Sequence, residues 1–117
     1  ISFANTNSYI NYKVHVKDYG WLNKVAEGET AGTTGESRRM EAIEINLNNI
    51  DGILKYQVHI ENDGWLPEVS EGKITGTTGQ SKRIEAIIIK LENSDYKIKY
   101  RLRRRMLFYL PKRTGFM

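Results

Sequence analysis

The stretch that decides the fold is YKVHVKDYGWLNKVAEGETAGTTGESRRMEAIEINL at residues 12–47, which returns as YQVHIENDGWLPEVSEGKITGTTGQSKRIEAIIIKL at residues 56–91. The offset is 44 residues, no gap is needed, and 20 of the 36 aligned positions are identical. Such periodicity is typical of repeat proteins, in which each copy buries its apolar face against a neighbour. We therefore interpret the chain as tandem copies of one 44-residue unit.

The same offset continues beyond the two copies, because Tyr12, Tyr56 and Tyr100 align. This alignment divides the chain into four segments. We expect residues 1–11 to be the end of a preceding unit, 12–55 the first unit, 56–95 the second unit, and 96–117 a degenerate or truncated third copy. We expect the four to form one structural domain that is a fragment of a longer array.

Two segments of each unit alternate between apolar and polar residues with a period of two, which predicts half-buried β-strands. In the first segment, Tyr12, Val14 and Val16 share one face and Lys13, His15 and Lys17 share the other. In the second, Glu41, Ile43, Ile45 and Leu47 are predicted to share a face. Since no segment has a convincing helical period, we expect an all-β fold.

A unit of about 44 residues with roughly four short strands suits a three-fold pseudo-symmetric module. We therefore predict tandem 44-residue repeats forming a β-trefoil-like or β-prism-like module, because closure would hide the strand edges. A linear β array is the alternative.

The composition limits the partners that the chain is expected to bind. Residues 1–96 hold ten Lys and Arg against fourteen Asp and Glu, whereas residues 97–117 hold eight Lys and Arg and no acid. The basic isoelectric point is thus a property of the tail, and we expect no nucleic-acid partner. No apolar run approaches the length of a membrane span, so no membrane insertion is expected. The absence of cysteine excludes disulfides and thiolate metal sites.

Trp21 and Trp65, each preceded by a glycine, Gly20 or Gly64, are the leading candidates for binding. An indole is a flat apolar plate that can stack on a sugar ring or anchor a protein contact. The alternative is that each tryptophan fills the small core of its unit. His15 and His59 lie on the polar face of the first strand and are further candidate contacts.

Arg39 and Glu41, repeated as Arg83 and Glu85, stand two residues apart on one predicted strand face. A carboxylate at the edge of an apolar face needs a partner, so we expect a structural ion pair rather than a catalytic carboxylate. The sequence has no nucleophile–base pair, no metal signature and no glycine-rich cofactor loop. We therefore expect no enzyme activity, no cofactor and no metal.

The pattern VHV-x3-GW, followed by EG, AGTTG, a basic pair and EAI-x-I-x-L, resembles the clostridial hydrophobic W (ChW) repeat. Both full units match it over almost their whole length, while the third copy lacks Gly-Trp. The resemblance implies an extracellular or cell-surface protein of a Gram-positive bacterium. It also implies a non-catalytic module that binds polysaccharide or a surface protein, or that acts in adhesion.

Overall fold

A computed structural model gives the architecture of residues 8–33, 38–102 and 106–109. These residues form twelve strands and no helix, in agreement with the predicted all-β fold. The strands are β1 (Tyr9–Val16), β2 (Gly20–Trp21), β3 (Val25–Ala26), β4 (Thr30–Ala31), β5 (Met40–Asn48), β6 (Ile53–Ile60), β7 (Gly64–Trp65), β8 (Val69–Ser70), β9 (Ile74–Gly76), β10 (Ile84–Glu92), β11 (Lys99–Leu102) and β12 (Met106–Tyr109).

Each unit is built on one pair of long antiparallel strands, β1 with β5 in the first unit and β6 with β10 in the second. Two short strands pair with the other edge of the leading strand: β2 and β3 with β1, and β7 and β8 with β6. The pairing registers of the two units differ by the 44-residue offset throughout. The repeated sequence is therefore a repeated structure.

A tight turn joins the leading strand to the short strand that carries the tryptophan. In the first unit the amide of Tyr19 bonds to the carbonyl of Val16, and Asp63 bonds to Ile60 in the same way in the second unit. The glycine at the end of this turn, Gly20, has a φ of 79°. This left-handed conformation suits glycine because a side chain would add strain there.

The core lies on the apolar face of the long strands, as the alternation predicts. Tyr12, Val14 and Val16 are fully buried, and so are their equivalents Tyr56, Val58 and Ile60. Both units contribute to one continuous hydrophobic cluster. The two copies therefore share an interior instead of forming two separate cores.

The two units are joined by one strand of the second unit that enters the sheet of the first. Strand β9 belongs to the second unit in sequence, but it pairs with the outer edge of β5 in the first unit. The first sheet consequently has the order β2-β1-β5-β9, while the second has the order β10-β6-β7. Within the described residues the unit is complete twice, so the predicted three-fold closure is not confirmed.

The third copy folds differently from the first two. Strand β11 lies 44 residues after part of β6, but it pairs antiparallel with β12. Strand β12 also pairs with β4 of the first unit. Residues 1–11 were predicted to end a preceding unit, and 1–7 of them lie outside the described residues.

Candidate binding surface

The outer face of the first sheet brings together a tryptophan, a histidine and a glutamate. His15 in β1 lies opposite Trp21 in β2, so their side chains share one face. The imidazole meets the indole edge to face, with 5.4 Å between ring centroids and an interplanar angle of 83°. On its other side, Nδ1 of His15 lies 3.1 Å from Oε1 of Glu41. We call this arrangement the Trp–His–Glu row.

The second unit repeats the row with nearly the same geometry. The rings of His59 and Trp65 are 5.2 Å apart at an interplanar angle of 84°. Nδ1 of His59 lies 3.1 Å from Oε1 of Glu85. Because the row recurs with the unit, it is a built feature of the repeat and not an accident of one surface.

A β-bulge brings the glutamate into the row. His15 pairs with Ala42 and Val16 pairs with Met40, so Glu41 is an extra residue between two regular pairs. The second unit has the same irregularity between Ile84 and Ala86. An extra residue interrupts the strict alternation of a strand. The prediction that Glu41 shares the face of Ile43 and Ile45 was therefore wrong, because Met40 occupies that face instead.

The predicted ion pair between Arg39 and Glu41 is replaced by the histidine contact. In the second unit, Nη2 of Arg83 lies 3.7 Å from Oε2 of Glu61, so Arg83 forms its ion pair with Glu61 and not with Glu85. The arginines contribute through their backbone, because the carbonyl of Arg39 accepts a hydrogen bond from the amide of Lys17. The contact between His15 and Glu41 could not be predicted from the alternation of the sequence, because the bulge moves the carboxylate to the other face of the sheet.

Both indoles lie on the outer face, so the interpretation of Trp21 and Trp65 as core residues was wrong. Trp65 is 46% exposed, and Trp21 is partly exposed. The ammonium of Lys13 lies 5.1 Å from the centroid of the Trp21 ring, a cation–π contact that covers part of the indole. The equivalent residue, Gln57, instead donates its side-chain amide to the carbonyl of Leu66. The second row therefore offers the more open aromatic plate.

The two glutamates differ sharply in exposure although their local contacts are the same. Glu41 is 2% exposed, whereas the side chain of Glu85 is 39% exposed. Strand β9 accounts for the difference, because the amide of Thr77 bonds to the carbonyl of Glu41 at this point. The row of the first unit is partly closed by the second unit, and the row of the second unit is open.

Sequence reasoning missed Lys13 beside the first row, and it missed the role of the tyrosine hydroxyls on the opposite, buried face of the leading strands. Tyr56 is buried, and its hydroxyl bonds to the carbonyl of Lys73 and to the amide of Ile45. Burial raises the pKa of this hydroxyl to about 12. The recurrence of tyrosine every 44 residues was visible, but a tyrosine among apolar residues was assigned to the core without a role for its hydroxyl.

Across residues 8–33, 38–102 and 106–109, no group of three or more His, Cys, Asp and Glu side chains is placed to hold a metal ion. The same part of the chain contains no helix long and apolar enough to cross a membrane.

Comparison with known proteins agrees with the repeat. The family model for Clostridial hydrophobic W matches twice, at residues 15–49 and 59–93, and both matches contain a complete Trp–His–Glu row. No curated protein and no solved structure matches the chain. The two matches span more than half of the chain at the spacing of the structural repeat, and the chain therefore belongs to the Clostridial hydrophobic W (ChW) family.

Proposed function

We propose that this chain is a non-catalytic, extracellular binding module that attaches a secreted protein to cell-surface or plant-type polysaccharide. The observation that carries the proposal is the open indole of Trp65, 46% exposed and flanked by His59 and Glu85 on the same face. An exposed indole buries little of its apolar surface within the fold and so adds little to stability. The same exposed ring next to fixed polar groups is suited to binding a ligand.

The chemistry of the row fits a sugar ring. One face of many pyranoses is apolar and can stack on an indole, while the ring hydroxyls can exchange hydrogen bonds with an imidazole and a carboxylate. Edge contact with His59 fixes the orientation of the indole and leaves much of its surface free. A fixed side chain loses less conformational entropy when a ligand binds.

Repetition of the row favours a polymer as the ligand. A polysaccharide that reaches both rows would make its second contact as an intramolecular event, which raises the overall affinity without any new contact. The first row, with Lys13 over the indole, would contribute the weaker of the two contacts. Lys13 would also favour a ligand that carries acidic groups near that row.

Binding to wall and plant-type polysaccharides by pull-down and titration tests this proposal. We expect Trp65→Ala to weaken binding by about tenfold, which corresponds to the loss of about 1.4 kcal/mol. Trp21→Ala should weaken it less, and the double variant should bind more weakly than either single variant. Tyr100→Ala is the matched control, because Tyr100 is an exposed aromatic residue on β11, outside both rows. Undiminished binding by the double variant would remove the tryptophans from the site.

A second candidate function is protein–protein assembly or adhesion. It is favoured by exposed apolar side chains outside the rows, namely Ile53, Ile74 and Ile88, which are 44%, 52% and 39% exposed. A contiguous patch of exposed apolar side chains is a feature of protein contact sites, and this second function requires the three isoleucines to contribute to such a patch. Capture of a surface protein that survives the double tryptophan substitution, together with no affinity for polysaccharide, would favour this function over the first.

The environment of the glutamates supports a module without catalysis. Glycoside hydrolysis needs two carboxyl groups facing each other across a sugar, about 5–9 Å apart. Here each row contains one glutamate, and that glutamate is engaged by its own histidine. Hydrolysis of a bound polysaccharide that stops on Glu85→Gln would contradict this part of the proposal.

A further inference from the structure

The contact between the two units is a specific edge-to-edge docking. Strand β9 pairs with β5 through Ala42 with Gly76, Ile43 with Thr75, and Glu44 with Ile74. The pairing is extended at both ends by backbone bonds, from Thr77 to the carbonyl of Glu41 and from Gly72 to the carbonyl of Ile45. The outer edge of β5 is therefore satisfied by backbone groups of the second unit.

Two side chains of the second unit complete the docking. The hydroxyl of Tyr56 accepts a hydrogen bond from the amide of Ile45 at 3.1 Å. The carboxylate of Glu71 accepts one from the amide of Leu47 at 2.9 Å. Buried or edge amides need such partners, so a tyrosine and a glutamate at fixed spacing act together with β9.

Strand β10 is the equivalent of β5, and within the described part of the chain no strand pairs with its outer edge. Its inner edge pairs with β6 in the same register, including the bulge. Residues that are buried in β5 are more exposed in β10. Ala42 and Ile45 are 0% exposed, whereas Ala86 and Ile89 are partly exposed. By the shared register, the amides of Ile89 and Leu91 point to this outer edge.

One substitution between the copies makes the β10 edge more apolar than the β5 edge. Ile88 replaces Glu44 and is 39% exposed. In the existing interface, Glu44 lies opposite Ile74. A copy of the second unit docked on β10 in the same way would place its equivalent of Ile74 directly opposite Ile88. Such a cross-strand apolar pair is stabilising.

We propose that the outer edge of β10 is a docking edge for another ChW unit, which would bind it as the second unit binds β5. The docking unit must supply a tyrosine hydroxyl, a glutamate and a glycine-ended strand at the positions of Tyr56, Glu71 and Gly76. Unpaired strand edges invite pairing with any extended chain, but these three requirements select a unit of the same family. This inference does not depend on the proposed binding of polysaccharide.

A chain lengthened by one unit tests the proposal. A copy of residues 52–95 is inserted directly after Asp95, and amide hydrogen exchange is compared between the lengthened and the original chains. We expect the amides of Ile89 and Leu91 to exchange at least about tenfold more slowly in the lengthened chain, because each gains a hydrogen-bond partner. Unchanged exchange at both amides, with the inserted unit folded, would overturn the proposal.

Two variants of the inserted unit make the test specific. Tyr→Phe at the copy of Tyr56 should return only the Ile89 amide to fast exchange, since this hydroxyl is the partner of that amide. Gly→Val at the copy of Gly76 should release both amides, because a side chain there collides with the partner strand. Protection that survives both variants would count against the proposal. Protection in the original chain that grows with its concentration and persists in Tyr56→Phe would also count against it, because the edge would then be covered by a second copy without the tyrosine that the proposed docking requires.

Discussion

At the residue scale, the most informative pair is His15 and His59, because they make the same contacts in different surroundings. Each contacts a tryptophan ring and a glutamate carboxylate. The glutamate of the first unit is 2% exposed, and that of the second is 39% exposed on its side chain. The loss of unfolding free energy on removing the histidine should therefore depend on whether the remaining glutamate carboxylate is buried or exposed to water.

We predict that His15→Ala lowers the free energy of unfolding by about 1–3 kcal/mol, because it leaves the buried carboxylate of Glu41 without its partner. His59→Ala should change it by less than about 1 kcal/mol, since water can solvate Glu85. Urea unfolding of the two variants measures both values. Equal losses in the two variants would show that the row contributes to stability through ring packing and not through the carboxylate.

The raised pKa of Tyr56 gives a second prediction at this scale. Desolvation is the main cause, and it lifts the pKa from 10.0 to about 12 in the folded protein. Between these two values the unfolded chain has lost a proton that the folded chain retains. The Tyr56 contribution to stability is therefore fully present below pH 10 and is lost as the pH rises to 12, at up to about 1.4 kcal/mol per pH unit.

Comparison with Tyr56→Phe isolates this contribution from the other groups that titrate in the same range. The variant should be less stable at neutral pH because the amide of Ile45 loses its partner. The stability difference between the two proteins should shrink as the pH rises from 10 to 12. A difference that stays constant over that interval, measured by urea unfolding, would contradict a raised pKa at Tyr56.

At the element scale, the decisive feature is the close approach of β9 to β5. A Cβ atom on Gly76 would lie 2.3 Å from the carbonyl oxygen of Glu41 and 2.6 Å from Cα of Ala42. Both obstacles are backbone atoms of a paired strand, so they cannot move aside as a flexible side chain can. Glycine at this position is what allows the second unit to dock.

We predict that Gly76→Ala costs more than about 2 kcal/mol of unfolding free energy, through the collision in addition to backbone strain. Gly79→Ala is the matched control, because Gly79 also has a positive φ of 74° but has no atom within 4 Å of its Cβ position. Strain alone should cost the control about 1–2 kcal/mol. Thermal or urea unfolding that ranks the two variants equally would remove close approach as the reason for this glycine.

The elements also show how far the sequence could predict the structure. Alternation at Tyr12, Val14 and Val16 predicted both the strand and its buried face, because the bulge adds its extra residue to β5 and leaves the alternation of β1 unbroken. Glu41 was placed on the wrong face since a bulge inserts one residue without changing the composition. The docking of Gly76 on Ala42 could not be predicted, because it joins residues from different units and no local pattern records such a contact.

At the scale of the whole molecule, the two units are one folding system in which the second completes the first. The second unit provides β9 and the hydroxyl of Tyr56, while the first provides the edge of β5. Ala42 and Ile45 are 0% exposed beneath β9, whereas their equivalents Ala86 and Ile89 are partly exposed. In repeat proteins the stability of each unit includes its interface with its neighbour. A destabilising substitution in the second unit should therefore also lower the stability of the first.

We predict that Val58→Ala, in the core of the second unit, destabilises both units together. Val58 is 0% exposed, and removal of its methyl groups should cost about 1–3 kcal/mol. Each unit contains one tryptophan, so Trp65→Phe and Trp21→Phe variants give fluorescence reports on the first and second unit respectively. In the presence of Val58→Ala, the urea midpoints from both reporters should fall by the same amount, because the first unit cannot retain its buried β5 edge once β9 has unfolded. A midpoint at Trp21 that does not move, while the midpoint at Trp65 falls, would mean that the first unit is stable by itself.

Val14→Ala, the equivalent change in the first unit, tests whether each unit depends on the other or only the first depends on the second. If the shared core dominates, both reporters should fall again. If β9 is the main link, the midpoint at Trp65 should remain higher than the midpoint at Trp21. The second unit contributes β9 to the first sheet, but among the residues that the structure describes no strand of the first unit pairs in the second sheet.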